Sequence, residues 1–206
     1  MEKKKSNNDK NDLECDYSFK ILLVGDSSVG KSNFILRLIK NQFSPSHVST
    51  SGMELKTTEI LLDKVKIRVQ LWDTAGQEKY RAITKSLFTK VQGILTLYDI
   101  SNEDSFKNLK NWVKMIKEEC NNVQLLMIGN KNDLEDERII STEEATEYAK
   151  SQKMGYIETS SKTGENVNKA IEIMCKKILK NNSVRSNYSF SLDYKKAKKQ
   201  KRKCCE

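Results

Sequence analysis

The sequence predicts an α/β fold: a doubly wound, mostly parallel sheet of six strands with one antiparallel strand at its edge. Three observations support this prediction. Short apolar runs typical of buried strands alternate with helical patterns from Phe19 to about Lys180. Two β-rich runs are separated only by Asp63 and Lys64, which indicates a hairpin. A glycine-containing loop joins the first strand to the first helix. Alternation of this kind favours parallel strands with helices on both faces of the sheet.

The elements follow in chain order from the spacing of the apolar residues. The predicted strands cover residues 19–24, 55–62, 65–71, 94–99, 125–129 and 156–159. The predicted helices cover residues 33–40, 105–119, 142–150 and 166–179, and the second of them repeats Phe106, Leu109, Trp112, Val113 and Ile116 at helical spacing. Ligands of such sheets bind at the carboxyl ends of the strands, so the motifs there are the candidates for function.

Length and composition indicate one soluble globular domain with flexible ends. The chain has 206 residues, of which 32% are charged and 37% hydrophobic, and no stretch approaches the roughly 20 apolar residues that span a bilayer. Residues 1–16 are rich in Lys, Asn and Asp without an apolar run, so we predict a disordered extension and no secretory signal. We expect the globular domain over residues 17–180 and a flexible tail over residues 181–206.

The net charge of +9 belongs mostly to the tail. Seven Lys and Arg residues between positions 195 and 203 contribute +7 and Glu206 removes one charge, which leaves about +3 for residues 1–194. Nucleic-acid binding through the tail is a weak alternative, because no aromatic residue interrupts its basic run.

Three cysteines stand singly, without metal-ligand spacing, and are expected to be intracellular thiols: Cys15, Cys120 and Cys175.

A phosphate-binding loop occupies residues 25–32, after a strand and at the start of a helix. Gly25 and Gly30 permit the turns that direct successive N–H groups at phosphate oxygens. Lys31 supplies a positive charge to the β- and γ-phosphates, and the Ser32 hydroxyl is a Mg²⁺ ligand. The loop by itself predicts nucleotide phosphate binding but does not select a base.

A second motif, residues 73–78, follows the third predicted strand. Asp73 is placed to hold Mg²⁺, through water, as the acidic residue of phosphate-loop enzymes does. Gly76 offers its N–H to the γ-phosphate, and Gln77 is placed to orient a water for in-line attack. This motif indicates hydrolysis of a nucleoside triphosphate.

Two further motifs select guanine. Asp133, in the run 130–133, carries a carboxylate that only accepts hydrogen bonds, and guanine presents N1–H and N2–H₂ donors side by side, whereas adenine does not. Ser160, Ser161 and Lys162 follow the last strand, and the N–H of Ser161 is expected to meet the guanine O6. An ATP-using kinase or ATPase with a phosphate loop is therefore disfavoured.

From Phe19 to Leu179 the chain resembles the Rab family of membrane-traffic GTPases, within the Ras superfamily. The run 72–81 and the terminal pair Cys204 and Cys205 carry the resemblance. It implies the small G-domain fold and places Thr50 as the switch I threonine, which ligates Mg²⁺ and contacts the γ-phosphate, and Phe43 as the aromatic on the guanine ring. The predicted catalytic residues are Gln77, Lys31 and Thr50, and the metal ligands are Ser32, Thr50 and Asp73. The predicted nucleotide contacts are Gly25, Asp26, Ser27, Ser28, Val29, Gly30, Lys31, Ser32, Asn33, Phe43, Thr50, Asp73, Gly76, Asn130, Lys131, Asp133, Ser160, Ser161 and Lys162.

The resemblance also implies partners and a location. A Rab-type protein binds GTP or GDP, an exchange factor, an activating protein, a dissociation inhibitor, an escort protein and effectors, and it cycles between the cytosol and the cytoplasmic face of an intracellular membrane. Cys204 and Cys205 are the expected prenylation sites; the CaaX route is excluded, because the fourth residue from the end is Lys203. The basic tail adds reversible attraction to an anionic surface.

The chain departs from the usual family pattern in switch I and in the effector-reading aromatic triad. Ser51 follows the switch threonine, and the triad falls on Leu55, Trp72 and Leu87, so only one of the three is aromatic. His47 stands where a tyrosine often covers the phosphates. These departures leave open an alternative, a GTP-binding scaffold with little turnover.

Overall fold

The computed structural model describes residues 15–45, 52–74, 87–120 and 122–181, which form one six-stranded sheet and four α-helices. The strands are β1 Tyr17–Val24, β2 Met53–Leu62, β3 Val65–Thr74, β4 Gly93–Asp99, β5 Gln124–Asn130 and β6 Gly155–Thr159. The helices are α1 Lys31–Lys40, α2 Glu103–Glu119, α3 Thr142–Ser151 and α4, residues 167–181. Short 3₁₀ turns occur at Phe88–Lys90 and Glu135–Glu137.

The strand order is β2-β3-β1-β4-β5-β6. Strand β2 runs antiparallel to β3 at the edge, and the remaining pairs are parallel. The predicted α/β fold with one antiparallel edge strand is confirmed. Asp63 and Lys64 at the hairpin turn have φ values of 50° and 71°, and two consecutive positive φ angles suit the right-handed twist of the strands on either side.

The element boundaries differ from the predicted ones by one to three residues, and two of these differences bear on the site. Helix α1 begins at Lys31, two residues early, directly after Gly30 in the left-handed conformation. Strand β3 continues to Thr74, so Asp73 lies within the strand and not in the loop after it. The strand continues because Asp73 pairs with Glu54 across the hairpin, which extends the ladder beyond the apolar run.

Alternating residues of the strands fill two cores, one on each face of the sheet. Ile21, Leu23 and Leu95 pack on one face with residues of α1 and α4, among them Phe34 and Ile171. On the other face, strand residues meet α2 and α3; these residues include Leu22, Ile94, Tyr98, Phe106, Trp112 and Ala145. Burial of this kind contributes about 25 cal/mol per Å² of apolar surface. The two cores keep the sheet rigid beneath its carboxyl edge.

Side-chain caps define where α2 and α3 begin. The Asn102 side chain accepts a hydrogen bond from the N–H of Ser105, and the Ser141 side chain accepts one from Glu144. Each cap satisfies an otherwise unpaired amide of a first helical turn. No helix in the described ranges combines the length and the apolar character needed to cross a bilayer.

The ends of the expected domain lie close to the limits of the described chain. Asp16 exchanges two hydrogen bonds with the backbone of Lys66, one through its own N–H at 2.8 Å and one through Oδ2 at 2.7 Å. Helix α4 continues through residue 181. Most of the expected extension, residues 1–14, and the tail from residue 182 lie outside the described residues.

Candidate functional site

A cavity of about 320 Å³ opens at the carboxyl edge of the sheet. Four loops line it: the loop after β1, the segment after α1, the loop after β5 and the loop after β6. The lining residues are Ser28, Gly30, Asn33, Phe43, Ser44, Pro45, Asn130, Lys131, Asp133, Leu134, Ser161 and Lys162. Most of the residues predicted to contact the base line this cavity, so the structure brings together motif residues as far apart in the chain as Ser28 and Lys162.

The loop after β1 has the backbone that a phosphate cradle needs. Gly25, Ser28 and Gly30 have φ values of 144°, 67° and 97°. A Cβ at Gly25 would lie 2.2 Å from the carbonyl oxygen of Leu97, and one at Gly30 would lie 2.3 Å from Nδ2 of Asn130. Both glycines are therefore required by dihedral angle and by contact. Successive turns of this kind form anion-binding concavities at helix N-termini.

Lys31 extends back into this loop. Its Nζ donates to the carbonyl oxygens of Gly25 at 2.9 Å and Asp26 at 2.6 Å, and the side chain is buried. Burial lowers the pKa of Lys31 to about 8, and the nearby carboxylates of Asp73 and Asp26 oppose that shift. The ammonium is thus held at the mouth of the loop, where an anion would meet it.

Asp73 lies near the end of β3 and is only 4% exposed. Burial raises the pKa of its carboxyl, while a hydrogen bond with Ser32 and the charge of Lys31 lower it. Its Oδ1 atom is buried and has no hydrogen-bond partner within the described residues. A buried carboxylate oxygen without a donor, close to a serine hydroxyl, suits a hard cation that takes oxygen ligands. The residues present therefore fit Mg²⁺.

Asn130, at the end of β5, joins the loops to one another. Its Nδ2 donates to the carbonyl oxygen of Val29 at 2.8 Å. Its Oδ1 accepts from the hydroxyl of Thr159 at 3.0 Å and from the N–H and hydroxyl of Ser161 at 3.2 and 3.1 Å. The side chain is fully buried, so these bonds are protected from water.

Asp133 is fixed at the cavity wall by residues of the neighbouring loop. The Ser160 hydroxyl donates to its Oδ1 at 2.5 Å, and the Lys162 ammonium lies 3.7 Å from its Oδ2. Lys131 has a φ of 67° and forms an ion pair with Asp99 at 2.5 Å. The carboxylate of Asp133 therefore lies at the cavity wall and can still accept hydrogen bonds from a ligand.

The segment after α1 that lines the cavity is held by Asn33 of α1. Its Nδ2 donates to the carbonyl oxygen of Ser44 at 2.9 Å, and its Oδ1 accepts from the N–H of Ser44 at 3.0 Å. The neighbouring Phe43 is 38% exposed. An aromatic face on a cavity wall offers a surface on which a planar base can stack.

Asp26 is predicted to contact nucleotide as part of the phosphate loop, and its carboxylate faces α2. It accepts from Nδ2 of Asn108 at 2.7 Å and from Nε1 of Trp112 at 3.3 Å, both on α2. Sequence reasoning missed Asn108 and Trp112 as supports of the loop, since their spacing indicates only a helix. It also missed the cavity residues Ser44, Pro45 and Leu134, for which no sequence motif gives a signal.

Several predicted residues lie outside the described residues. They are Thr50 and Ser51 of switch I, His47, Gly76 and Gln77 of the second motif, and the terminal Cys204 and Cys205. The roles assigned to them remain predictions.

Comparison with known proteins adds an independent finding. The sequence model of the Ras family matches residues 20–180. The chain is 43% identical over 174 residues to the GTP-binding protein ypt3 of Schizosaccharomyces pombe. The aligned region covers 84% of this chain and 81% of that protein. It is 42% identical over 166 residues to the Ras-related protein Rab-1D of Dictyostelium discoideum, covering 80% and 81%. It is 40% identical over 172 residues to the Ras-related protein Rab-3A of Homo sapiens, covering 81% and 78%.

Proposed function

Since the chain belongs to the Ras family and is a Rab-type small GTPase, we propose that the four-loop cavity binds the guanine base of GTP or GDP. The phosphates then lie in the loop of residues 25–32, and Asp133 accepts from the base. One observation carries the proposal: the Asn130–Val29 hydrogen bond joins the base-selecting loop to the phosphate loop. A nucleotide that spans both loops would meet a preassembled site, which lowers the cost of ordering on binding.

Mg²⁺ is held, in this proposal, by the hydroxyl of Ser32 and, through water, by Asp73, with Thr50 joining in the GTP state. The assignment is supported by Oδ1 of Asp73, which has no hydrogen-bond partner among the residues that the structure describes. When bound, the ion neutralises charge on the β- and γ-phosphates. Lys31 adds the charge of its ammonium at the mouth of the loop, and the N–H groups of the loop orient the phosphate chain.

Hydrolysis relies on positioning and charge, not on a strong general base. Gln77 orients the attacking water, while Lys31 stabilises the charge that develops on the transferred phosphoryl group. We expect a rate on the order of 10⁻⁴ to 10⁻³ per second for the protein alone, accelerated roughly 10⁵-fold by an arginine from an activating protein. Loss of the γ-phosphate would release Thr50 and Gly76. Switch I and the second motif, residues 73–78, would then relax.

The switch would recruit effectors to an intracellular membrane during vesicle trafficking. The proposed effector-binding surface includes Leu55, which is 45% exposed and pairs with Trp72 on the neighbouring strand. Trp72 and Leu87 are partly buried against a common apolar cluster. Prenylation of Cys204 and Cys205 and the basic tail would supply the two signals that stable attachment requires. An exchange factor, an activating protein, a dissociation inhibitor and an escort protein complete the proposed cycle.

A competition assay tests the binding proposal. The full-length protein is stripped of nucleotide, loaded with fluorescent GDP and Mg²⁺, and challenged with unlabelled GDP, GTP, ADP or ATP. We expect displacement by the guanine nucleotides alone, and equal displacement by ATP would refute the assignment of the base. Single-turnover hydrolysis by the same stripped protein loaded with GTP then separates a slow GTPase from a scaffold with little turnover, the alternative that the altered switch I supports. A rate near one per second would contradict both.

A further inference from the structure

We propose that Arg37 of α1 is a positioning residue that couples the two walls of the base cavity and thereby sets the rate of nucleotide release. Arg37 is not among the residues that line the cavity. The proposal rests on the proposed function, since it concerns release of the guanine nucleotide. The predicted effect is on the rate at which the nucleotide dissociates and not on the rate of hydrolysis.

One guanidinium group contacts the loop after β6 and the residue that precedes the Phe43 segment. Its Nε donates to the carbonyl oxygen of Ser161 at 3.0 Å, and its Nη2 donates to the carbonyl oxygen of Lys162. Both acceptors belong to the loop after β6, which lines the cavity. The remaining nitrogen, Nη1, donates to the carbonyl oxygen and to Oδ1 of Asn41, at 2.9 and 3.0 Å.

Asn41 connects this contact to the aromatic wall. It caps the C-terminus of α1, it has a left-handed φ of 52°, and its N–H donates back to the carbonyl oxygen of Arg37 at 2.9 Å. Phe43 and Ser44 follow two and three residues later and line the cavity. Arg37 therefore holds the base of the Phe43 wall and the backbone of the Ser161 wall with a single rigid group.

The packing around the arginine stem supports a defined position. Gly164 has a φ of 91°, and a Cβ there would lie 3.3 Å from Cδ of Arg37. The bare backbone of Gly164 thus leaves room for the stem beside the loop after β6, and the side chain is half-buried. A planar guanidinium with fixed donor directions donates to four acceptor atoms on three residues in this arrangement, which a lysine ammonium on a flexible stem does not reproduce.

Release of the base requires the two walls to loosen relative to each other. Hydrogen bonds from a charged donor to carbonyl groups are stronger than neutral ones, and loss of several of them should increase the population of the loosened state. GDP and GTP share the base, so their release rates should rise by the same factor. Hydrolysis of bound GTP occurs at the phosphate end and should be unaffected.

The experiment measures release and chemistry in the same variants of the full-length protein: Arg37→Lys, Arg37→Ala and the control Arg68→Ala. Arg68 lies on β3 and pairs with Glu59 on the exposed side of the hairpin. Each protein is loaded with fluorescent GDP or a slowly hydrolysed fluorescent GTP analogue and chased with excess unlabelled nucleotide. We expect release from both Arg37 variants to be at least tenfold faster for both nucleotides, single-turnover hydrolysis to change less than twofold, and the control to match the parent.

The outcomes separate this proposal from the function on which it rests. If the parent binds no GDP, the proposed function fails. If the parent binds GDP and both Arg37 variants release it at the parental rate, the coupling role is wrong. A merely structural role would lower the unfolding temperature without accelerating release, or would accelerate release equally in the Arg68 control, and either result overturns the proposal. Arg37→Lys keeps the charge and the stem, so it supplies the test if Arg37→Ala does not fold.

Discussion

The side-chain nitrogen of Asn130 lies 2.8 Å from the carbonyl oxygen of Val29, which is 101 residues earlier in the chain. The same side chain accepts three hydrogen bonds from Thr159 and Ser161. A single buried amide thus sets the distance between the phosphate loop, the loop after β5 and the loop after β6.

Replacement of Asn130 by Ala should loosen all three loops. It leaves buried partners without a hydrogen bond, each at a cost of about 1–3 kcal/mol. We expect the free energy of unfolding to fall by about 2–4 kcal/mol in urea titrations and GDP release to accelerate more than tenfold. Asn122→Ala, in the exposed turn before β5, is the control and should match the parent. Parental stability and parental release in the Asn130 variant would show that the amide does not hold the site together.

Substitution Asp133→Asn should change the preferred base. The carboxylate accepts from two guanine donors, whereas an amide also donates and so suits xanthine, which has a carbonyl in place of the amino group. We expect GDP affinity to fall about a hundredfold or more and affinity for xanthosine diphosphate to rise. Calorimetric titration with both nucleotides measures the change. Asp136→Asn, on an exposed position of the same loop, should leave both affinities unchanged; a similar preference for GDP in the Asp133 variant would place the base elsewhere.

Loss of the Asn108 amide should weaken the support of the phosphate loop by α2. Asn108→Ala removes the 2.7 Å hydrogen bond to the Asp26 carboxylate and leaves the longer one from Trp112. Hydrogen bonds to charged groups contribute about 1.5–3 kcal/mol, so a loss of unfolding free energy at the lower end of that range is expected for this half-buried pair. Denaturant titration measures it. The control is Asn111→Ala, at an exposed position of the same helix; equal losses in the two variants would contradict a specific role.

Stability should depend on acid pH through Glu158 on β6. Burial raises the pKa of this carboxyl, but hydrogen bonds from Arg138, Tyr156 and Thr142 outweigh burial, and the pKa is lower than its usual value. The two guanidinium contacts measure 3.0 and 2.8 Å. Because the folded-state pKa is depressed, the stabilisation is complete above the unfolded-state pKa of about 4.3 and is lost as pH falls through the folded-state value.

Glu158→Gln should therefore destabilise the protein at neutral pH by about 2–4 kcal/mol, since it removes one charge of a partly buried pair. The deficit relative to the parent should shrink as the pH falls below about 4. Urea titrations of both proteins at several pH values between 7 and 3 measure this trend. Glu137→Gln, at an exposed position, is the matched control. A deficit that stays constant across the range would indicate a packing effect and not an ion pair.

The sequence by itself determined the fold class and the chemistry of the motifs. Apolar periodicity depends on local chain geometry, so the strands and helices were predicted with shifts of a few residues at their ends. Glycines at positions such as Gly25 and Gly30 and an acidic residue such as Asp133 have roles that depend on residue type and local context, which a single sequence records.

Only the tertiary structure decided which side chains connect the motifs. Strand β3 extends through Asp73 because a neighbouring strand offers ladder partners, and the Asp26 carboxylate faces α2 because Asn108 and Trp112 lie within reach. Arg37 likewise contacts the loop of Ser161, 124 residues away, because the packing of α1 on the sheet brings the two together. Contacts of this separation depend on how the helices pack on the sheet, and no local periodicity encodes that packing. The sequence therefore predicted the ligand class, and the packing of α1 and α2 decided how the loops that line the cavity are held.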